Sequence, residues 1–157
     1  MLSFWWLLGV LLTLAKFGHS LSCMKCSNIT AAMCTGPSVT CTSGLACRAL
    51  YAEVSADGSS GTISTHFVGM SCASESQCNV QGSIGIVGGK IKLATSCCTT
   101  DNCNVTLPSL PADNSVANGL TCPFCVPSST SCNASSMQCL GNENQCVLLN
   151  GSLTGSL

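Results

Sequence analysis

Fifteen of the 157 residues are cysteine, and their order repeats. One run reads Cys23, Cys26, Cys34, Cys41 and Cys47; a second reads Cys122, Cys125, Cys132, Cys139 and Cys146. The steps are 3, 8, 7 and 6 residues in the first run and 3, 7, 7 and 7 in the second. Each run opens on a leucine, a hydroxyl residue and C-x-x-C: "LSCMKC" from Leu21 and "LTCPFC" from Leu120. Agreement over five positions marks two copies of one module. Between them "VTLPSLPADNSVANG" has two prolines, polar residues and no clear period, as expected of a linker.

The first copy continues through Cys72, Cys78, Cys97, Cys98 and Cys103, which makes ten cysteines. The second runs only 11 residues past its fifth cysteine, where the first runs another 56. The expected layout is a first module at 21–104, a linker at 105–119 and the N-terminal part of a second module at 120–157. An incomplete second copy accounts for the odd cysteine total.

So high a cysteine content in a short chain points to a disulfide scaffold if the compartment is oxidising. The N-terminus bears on the compartment. "MLSFWWLLGVLLTLAKFGHS" carries an apolar run from Leu2 to Ala15, broken by Lys16. As a helix that run would span roughly 21 Å, short of the roughly 30 Å core of a bilayer. Gly18 and Ser20 are small residues at the −3 and −1 positions of a signal-peptidase cut before Leu21. The segment before the apolar run departs from the usual pattern in having no Lys or Arg. Residues 1–20 are therefore expected to be a cleaved signal peptide. The tail "CVLLNGSLTGSL" is too polar for the hydrophobic segment of a lipid-anchor signal. The expected product is secreted and extracellular, with no direct membrane span. Charged residues make up 7% and the net charge is −1, which excludes a basic surface for nucleic acid and disorder driven by charge.

Local patterns are those of strands. "CRALYAEVS" and "TISTHFVGMSC" are β-prone runs around "ADGSSG", a hairpin signal with a loop longer than two residues. "GSIGIVGGKIKLATSCC" reads as a second hairpin about Gly88-Gly89. In it Ile91 and Leu93 alternate with Lys90 and Lys92, and the lysine side is read as a solvated face. "LSCMKC" and "SVTCT" suit a shorter hairpin. No helical period of useful length occurs. The fold class is all-β, three hairpins with cysteines at the strand bases. With few large apolar residues the core is thin, and bridges must compensate. One bridge closing about 15 residues contributes roughly 3 kcal/mol in the chain-entropy account.

The opening "L-x-C-x-x-C", the ten-cysteine frame and the closing "CCTTDNCN" together resemble the urokinase-receptor/lymphocyte-antigen-six superfamily of three-finger, snake-toxin-like domains. The resemblance covers Leu21 to Asn104 fully and Leu120 to Leu157 in part. It implies the pairs Cys23–Cys47, Cys26–Cys34, Cys41–Cys72, Cys78–Cys97 and Cys98–Cys103. By analogy it implies Cys122–Cys146 and Cys125–Cys132 in the second copy, with Cys139 unpaired. Spacing alone leaves many connectivities open. It also implies that Asn104 hydrogen-bonds across the core, and that the neighbours Cys97 and Cys98 tie one strand end to two different places.

Other chemistries are poorly served. C-x-x-C could suggest zinc or redox work, but the ten-cysteine frame and the secretory leader argue against both, and no cofactor is expected. After leader removal His66 is the one histidine, inside a predicted strand, and is read as a packing or surface residue. No G-x-S-x-G, nucleophile–base pair or acid pair is present, and "GIVGGK" lacks the phosphate-loop spacing. The chain is not expected to be an enzyme. Asn28, Asn104, Asn133 and Asn150 head N-x-S/T sequons and are candidate glycosylation sites. Asn28 is the best placed, and Asn104 the worst if its side chain is buried.

Two tandem modules behind a signal peptide are similar in layout to the gamma-type phospholipase A2 inhibitors. That resemblance implies a secreted, non-enzymatic module that covers an extracellular protein, a phospholipase A2, by surface occlusion. The alternatives are a urokinase-receptor-like receptor or adhesion protein, facing a receptor or protease and lacking its lipid-anchor signal, or a truncated non-functional product. Contacts are expected at the finger tips, 29–37, 56–61 and 87–90, with Ile29, Pro37, Asp57, Gly58, Gly89 and Lys90 as candidates. These tips are small and polar and hold no aromatic anchor.

Overall fold

The structure is a computed structural model that describes residues 20–30, 32–124 and 135–147. Within these the chain is almost wholly β. Strands β1 (Ser22–Met24) and β3 (Ser38–Thr40) form a small antiparallel sheet. Strands β2 (Cys26–Asn28), β4 (Leu45–Gly58), β5 (Gly61–Ser74), β6 (Gln81–Ile86) and β7 (Gly89–Cys98) form a second sheet in the order β2-β5-β4-β7-β6. A 3-10 turn at Glu75–Gln77 carries the chain from β5 towards β6. Strands β8 (Ala117–Phe124) and β9 (Ser135–Leu140) make a separate hairpin.

The three predicted hairpins are present, and three details differ. β4 and β5 pair along their whole length from Leu45↔Ser74 to Gly58↔Gly61. Their turn is Ser59–Ser60 alone, so the expected longer loop is a two-residue one. The β-branched and aromatic residues of "TISTHF" continue the ladder further than turn composition suggested. The β6–β7 turn is Val87–Gly88, one residue before the expected Gly88-Gly89, because Gly89 already pairs with Ile86; Gly88 is at φ +69°, a conformation that costs a glycine little. The third hairpin is divided between sheets. Met24 still pairs with Ser38, but Cys26 has crossed to lie beside Met70 on β5.

The small sheet is sewn to the base of the large one by sulfur. Cys72, Cys47 and Cys98 lie side by side across β5, β4 and β7. Each leaves in a different direction, to Cys41, Cys23 and Cys103 respectively. Cys26–Cys34 closes the first finger and Cys78–Cys97 the third. Successive residues of a strand face opposite ways. Cys98 therefore bonds on the core side of β7 and its neighbour Cys97 on the other. The buried cluster is Cys23, Cys34, Cys41, Cys47, Ala49, Val68, Met70 and Val105. Half of it is cysteine, so bridges fill the volume that large aliphatic side chains would otherwise take.

The terminal loop is tied to this layer by polar groups. The Ser22 amide donates to Asp101 Oδ1 at 2.7 Å, and the Ser38 hydroxyl donates to Asn102 Oδ1 at 2.6 Å. The Asn102 amide donates to the Ser22 carbonyl at 2.8 Å. Asn104, expected to span the core, is instead exposed, and Val105 beside it is the buried residue. Val105 takes the inward position in this irregular stretch, packed in the buried cluster, and Asn104 is left outward.

The second copy repeats the first hairpin. Cys122 lies opposite Met137 and Cys139 follows two residues later, as Cys23 lies opposite Val39 and Cys41 follows. Cys122 is bonded to Cys146. Cys139 is buried and free, its Sγ 3.0 Å from that of Cys122. The expected bridge Cys125–Cys132 lies outside the described residues. No helix among the described residues is long and apolar enough to cross a membrane.

Candidate protein-binding face

The pairing register sorts the large sheet into two faces. On one, beyond the cysteine row, come Met70 beside Ala49, Val68 beside Tyr51, and then the row His66, Glu53, Lys92 and Ser83. This face runs from a sulfur-rich base to a polar end. On the other face Phe67, Ala52 and Leu93 stand in one row. Thr65, Val54, Ile91 and Ile84 stand in the next, and Ile63, Ala56, Gly89 and Ile86 beyond them. This second face carries no ionisable side chain in those three rows. Among the described residues no second layer of strands lies over it.

The apolar residues are accessible. Ile63 is 69% exposed, Val54 41%, Phe67 38% and Ile84 38%. An apolar patch across four strands is too continuous to be the scattered surface leucines and valines of any soluble protein, and such patches mark contact sites. Phe67 gives it an aromatic anchor of the type that dominates hot spots. The phenyl edge lies over Gly69, where a Cβ would stand 3.1 Å from Phe67 Cε1. The ring is thus propped from below by the backbone of its own strand.

The lysines explain why this face is the bare one. Lys90 and Lys92 were expected on a solvated face, and the structure reverses that. Lys92 is 9% exposed, and both side chains turn toward the covered side. A buried ammonium must be paired. Asp113 of the linker supplies the partner, 2.6 Å from Lys92 Nζ and 4.0 Å from Lys90 Nζ. The hydrogen bond from Lys92, reinforced by both positive charges, holds the Asp113 carboxyl below its ordinary value of 3.8. Further along, the Ser83 hydroxyl donates to Glu143 Oε1 at 3.5 Å, and Glu143 and Met137 crowd Gly85. Linker and second copy therefore lie against the polar end of one face, and Ile91 and Leu93 are left on the other.

The expected contact residues divide. Ile29, Pro37, Asp57 and Gly58 are exposed as tip residues should be. Asp57 is fixed rather than free: its amide donates to the Gly88 carbonyl at 2.7 Å, and Thr62 Oγ1 donates to its carboxylate at 3.3 Å. This joins the tips of the second and third fingers. Gly89 and Lys90 are only partly exposed, and Lys90 is engaged with Asp113. Of the sequon asparagines, Asn28 is half-buried and accepts from the Thr30 amide at 3.1 Å, while Asn104 is exposed. Asn133 and Asn150 lie outside the described residues.

His66 is a packing residue. Its ring stacks on Tyr51 with centroids 5.8 Å apart, and its Nδ1 is hydrogen-bonded to the Tyr51 hydroxyl at 3.2 Å. A cavity of about 530 Å³ lies at the module base, lined by Met24, Met33 and Met70 with Val105, Leu107 and Asn104. Its walls hold no titratable side chain, so it offers nothing to acid–base chemistry.

The apolar face was not foreseen. Its signal was present as period-two alternation in three strands, Ala52/Val54, Ile63/Thr65/Phe67 and Ile91/Leu93. Alternation says that a strand has two faces. It does not say which of them a second layer will cover.

Comparison with known proteins accords with this architecture. The u-PAR/Ly-6 domain matches residues 19–106 and again 118–157. Two gamma-type phospholipase A2 inhibitor chains, from Elaphe climacophora and Elaphe quadrivirgata, are each 40% identical to this chain over 62 residues. That stretch is 38% of this chain and 30% of each relative, so the chain spans under a third of the relatives it matches. The family and these inhibitors are binding proteins without enzymatic activity, in keeping with a sequence that offers no nucleophile–base pair. With the domain matched over most of its length and the fold a disulfide-rich set of β fingers, the chain belongs to the u-PAR/Ly-6 family.

Proposed function

We propose that the chain is an extracellular binding module that docks a secreted phospholipase A2 on the open face of its large sheet and inhibits it by occlusion. The observation that carries this is the uncharged apolar patch centred on Phe67, Val54, Ile91 and Ile84. The enzyme class is taken from the inhibitors that the chain resembles. The mechanism needs no covalent step. A rigid sheet presents preformed apolar area, so little ordering entropy opposes binding. The reading takes the leader as removed before Leu21, modules at 21–104 and 120–157 joined by the linker at 105–119, and a glycan on Asn28 as tolerated, away from the patch.

The test is a titration of secreted phospholipases A2 with the full chain, reading hydrolysis and, by surface plasmon resonance, binding. Inhibition should saturate at a fixed stoichiometry. Phe67→Glu and Ile91→Glu should each weaken binding at least about tenfold, as hot-spot losses do, with the circular dichroism of the sheet unchanged. Ile29→Ala should leave it unaltered. Binding indifferent to both face variants would remove the assignment of the face. Absence of binding to every such enzyme would remove the assignment of the partner.

A further inference from the structure

We propose that Asn104 carries an N-linked glycan whose first sugar roofs the methionine-lined cavity at the base of the first module. A buried side chain would have ruled this sequon out, and the structure removes that objection. Asn104 and Thr106, the two residues that an N-x-S/T sequon needs, are both exposed. Val105 between them is 3% exposed and packs in the core cluster, so it pins the tripeptide with the carboxamide and hydroxyl residues on the surface. Residues 103–116 belong to no strand or helix, so the site sits on open, irregular backbone.

The fold asks nothing of this carboxamide. The side-chain ties of the terminal loop fall to its neighbours, Asp101 on the Ser22 amide and Asn102 on the Ser38 hydroxyl. Asn28 differs: it is half-buried, and its Oδ1 is engaged by the Thr30 amide. A glycan is joined through the carboxamide nitrogen, so at Asn104 it displaces no bond that holds the loop.

The cavity gives the sugar a seat. Asn104 and Thr106 are themselves part of its wall, together with Met24, Met33, Met70, Thr35 and Asn102. Its volume of about 530 Å³ falls within the roughly 300–1,000 Å³ of small-molecule sites. Met24 and Met33 are 36% and 40% exposed, so two large apolar side chains of the wall face water. An N-acetylhexosamine offers them the C–H face of its ring and its acetamido methyl, and thioethers adapt readily to such a surface. Its hydroxyls find hydrogen-bond partners in Thr35 and Asn102. A neutral sugar also suits a wall without titratable side chains. Met70 and Phe67 point to opposite sides of β5, so a sugar seated here leaves the apolar face clear.

The full chain is secreted from a eukaryotic cell line that keeps its glycans high-mannose, with residues 1–20 exchanged for an established leader so that leader failure cannot mimic an empty site. Peptides released by peptide-N-glycosidase in heavy-oxygen water should carry the label at Asn104. The folded protein is then treated with dilute peroxide in three forms: glycosylated, trimmed by endoglycosidase to the first sugar, and Thr106→Ala, which lacks the sequon. Sulfoxide should form on Met24 and Met33 severalfold faster in Thr106→Ala than in the other two forms. Met137 of the second hairpin, away from the cavity, should oxidise alike in all three. Wild-type protein stripped of all sugar replaces the variant if the variant does not fold. An unlabelled Asn104 would overturn the glycan, and equal oxidation of Met24 and Met33 in all forms would overturn the roof. Neither result touches the phospholipase assignment, which the variants at Phe67 and Ile91 decide.

Discussion

The two copies begin with the same hairpin and end as different objects. In the first, the hairpin sulfurs are taken up by partners on the large sheet, and Ala49, Val68 and Cys23 are sealed at 0% exposure between the layers. In the second, among the described residues, only Cys139 and Glu143 are buried. The cysteine frame is nearly identical in both. What differs, among the described residues, is that the first hairpin is packed on a five-stranded sheet and the second is a sheet of two strands. In the first copy bridges brace a packed arrangement between two layers; among the described residues of the second, Cys122–Cys146 braces a single hairpin.

The sharpest way to break this comparison is to remove equivalent bonds. Replacing Cys41 and Cys72 by serine opens a bridge across 31 residues and leaves polar groups in the buried layer. The loss should be about 2–5 kcal/mol, read as a large fall in melting temperature. Replacing Cys122 and Cys146 should leave the melting of the first module where it was. Next in size is packing. Met70→Ala, inside the core, should cost about 2–5 kcal/mol in chemical denaturation. Met137→Ala, on the second hairpin, should cost under about 1 kcal/mol, as partly exposed positions do. Smaller again is Gly89→Ala. A Cβ there would collide with the Ser55 carbonyl, because β7 approaches β4 closely at that point. A shift of the β7 backbone should cost about 1–3 kcal/mol and show first as lost amide protection in β6.

The smallest effect belongs to the contact between the first copy and the linker. Asp113→Asn should lower the melting temperature slightly at neutral pH and quicken proteolysis of the linker. Because the carboxyl is exposed, high salt should erase most of the difference. The sign with pH follows from the direction of its shift. The folded value lies below 3.8, so the contribution is complete above that value and disappears as pH falls through the lower one. Variant and parent should therefore converge at strongly acid pH. A gap that widens there would mean that Asp113 is not the partner of Lys92.

Much of this was legible in the residues, and what was not has a common cause. Hairpins and strand-base cysteines follow from turn chemistry and spacing, which are local. Lys92 could not be placed that way. Alternation put it opposite Ile91 and Leu93, but the aspartate that draws it to the covered side lies 21 residues further on, in a stretch without period. Asn104 was misplaced for a related reason: inward and outward positions past Cys103 depend on how the loop is held by Asp101 and Asn102. Cys26 changed sheets because its neighbour Met70 lies far away in sequence. Each of these depends on a contact distant along the chain, and no short pattern records it.

The adjacent pair Cys97 and Cys98 has a consequence for how the molecule checks its own assembly. Suppose β7 slipped by one residue along β4. One sulfur of the pair could take its neighbour's place and bond to the neighbour's partner. The other would be carried two residues, roughly 6.6 Å, from the partner left over. Added across the 5.4 Å that separates the Cα atoms of Cys78 and Cys97, that displacement carries the pair beyond the roughly 6.8 Å that a bridge can span. A slipped chain can close one bond of the two but not both. A lone cysteine in that strand would accept such an error silently; a vicinal pair works as a gauge, and a molecule with both bonds closed has already been measured and found in register.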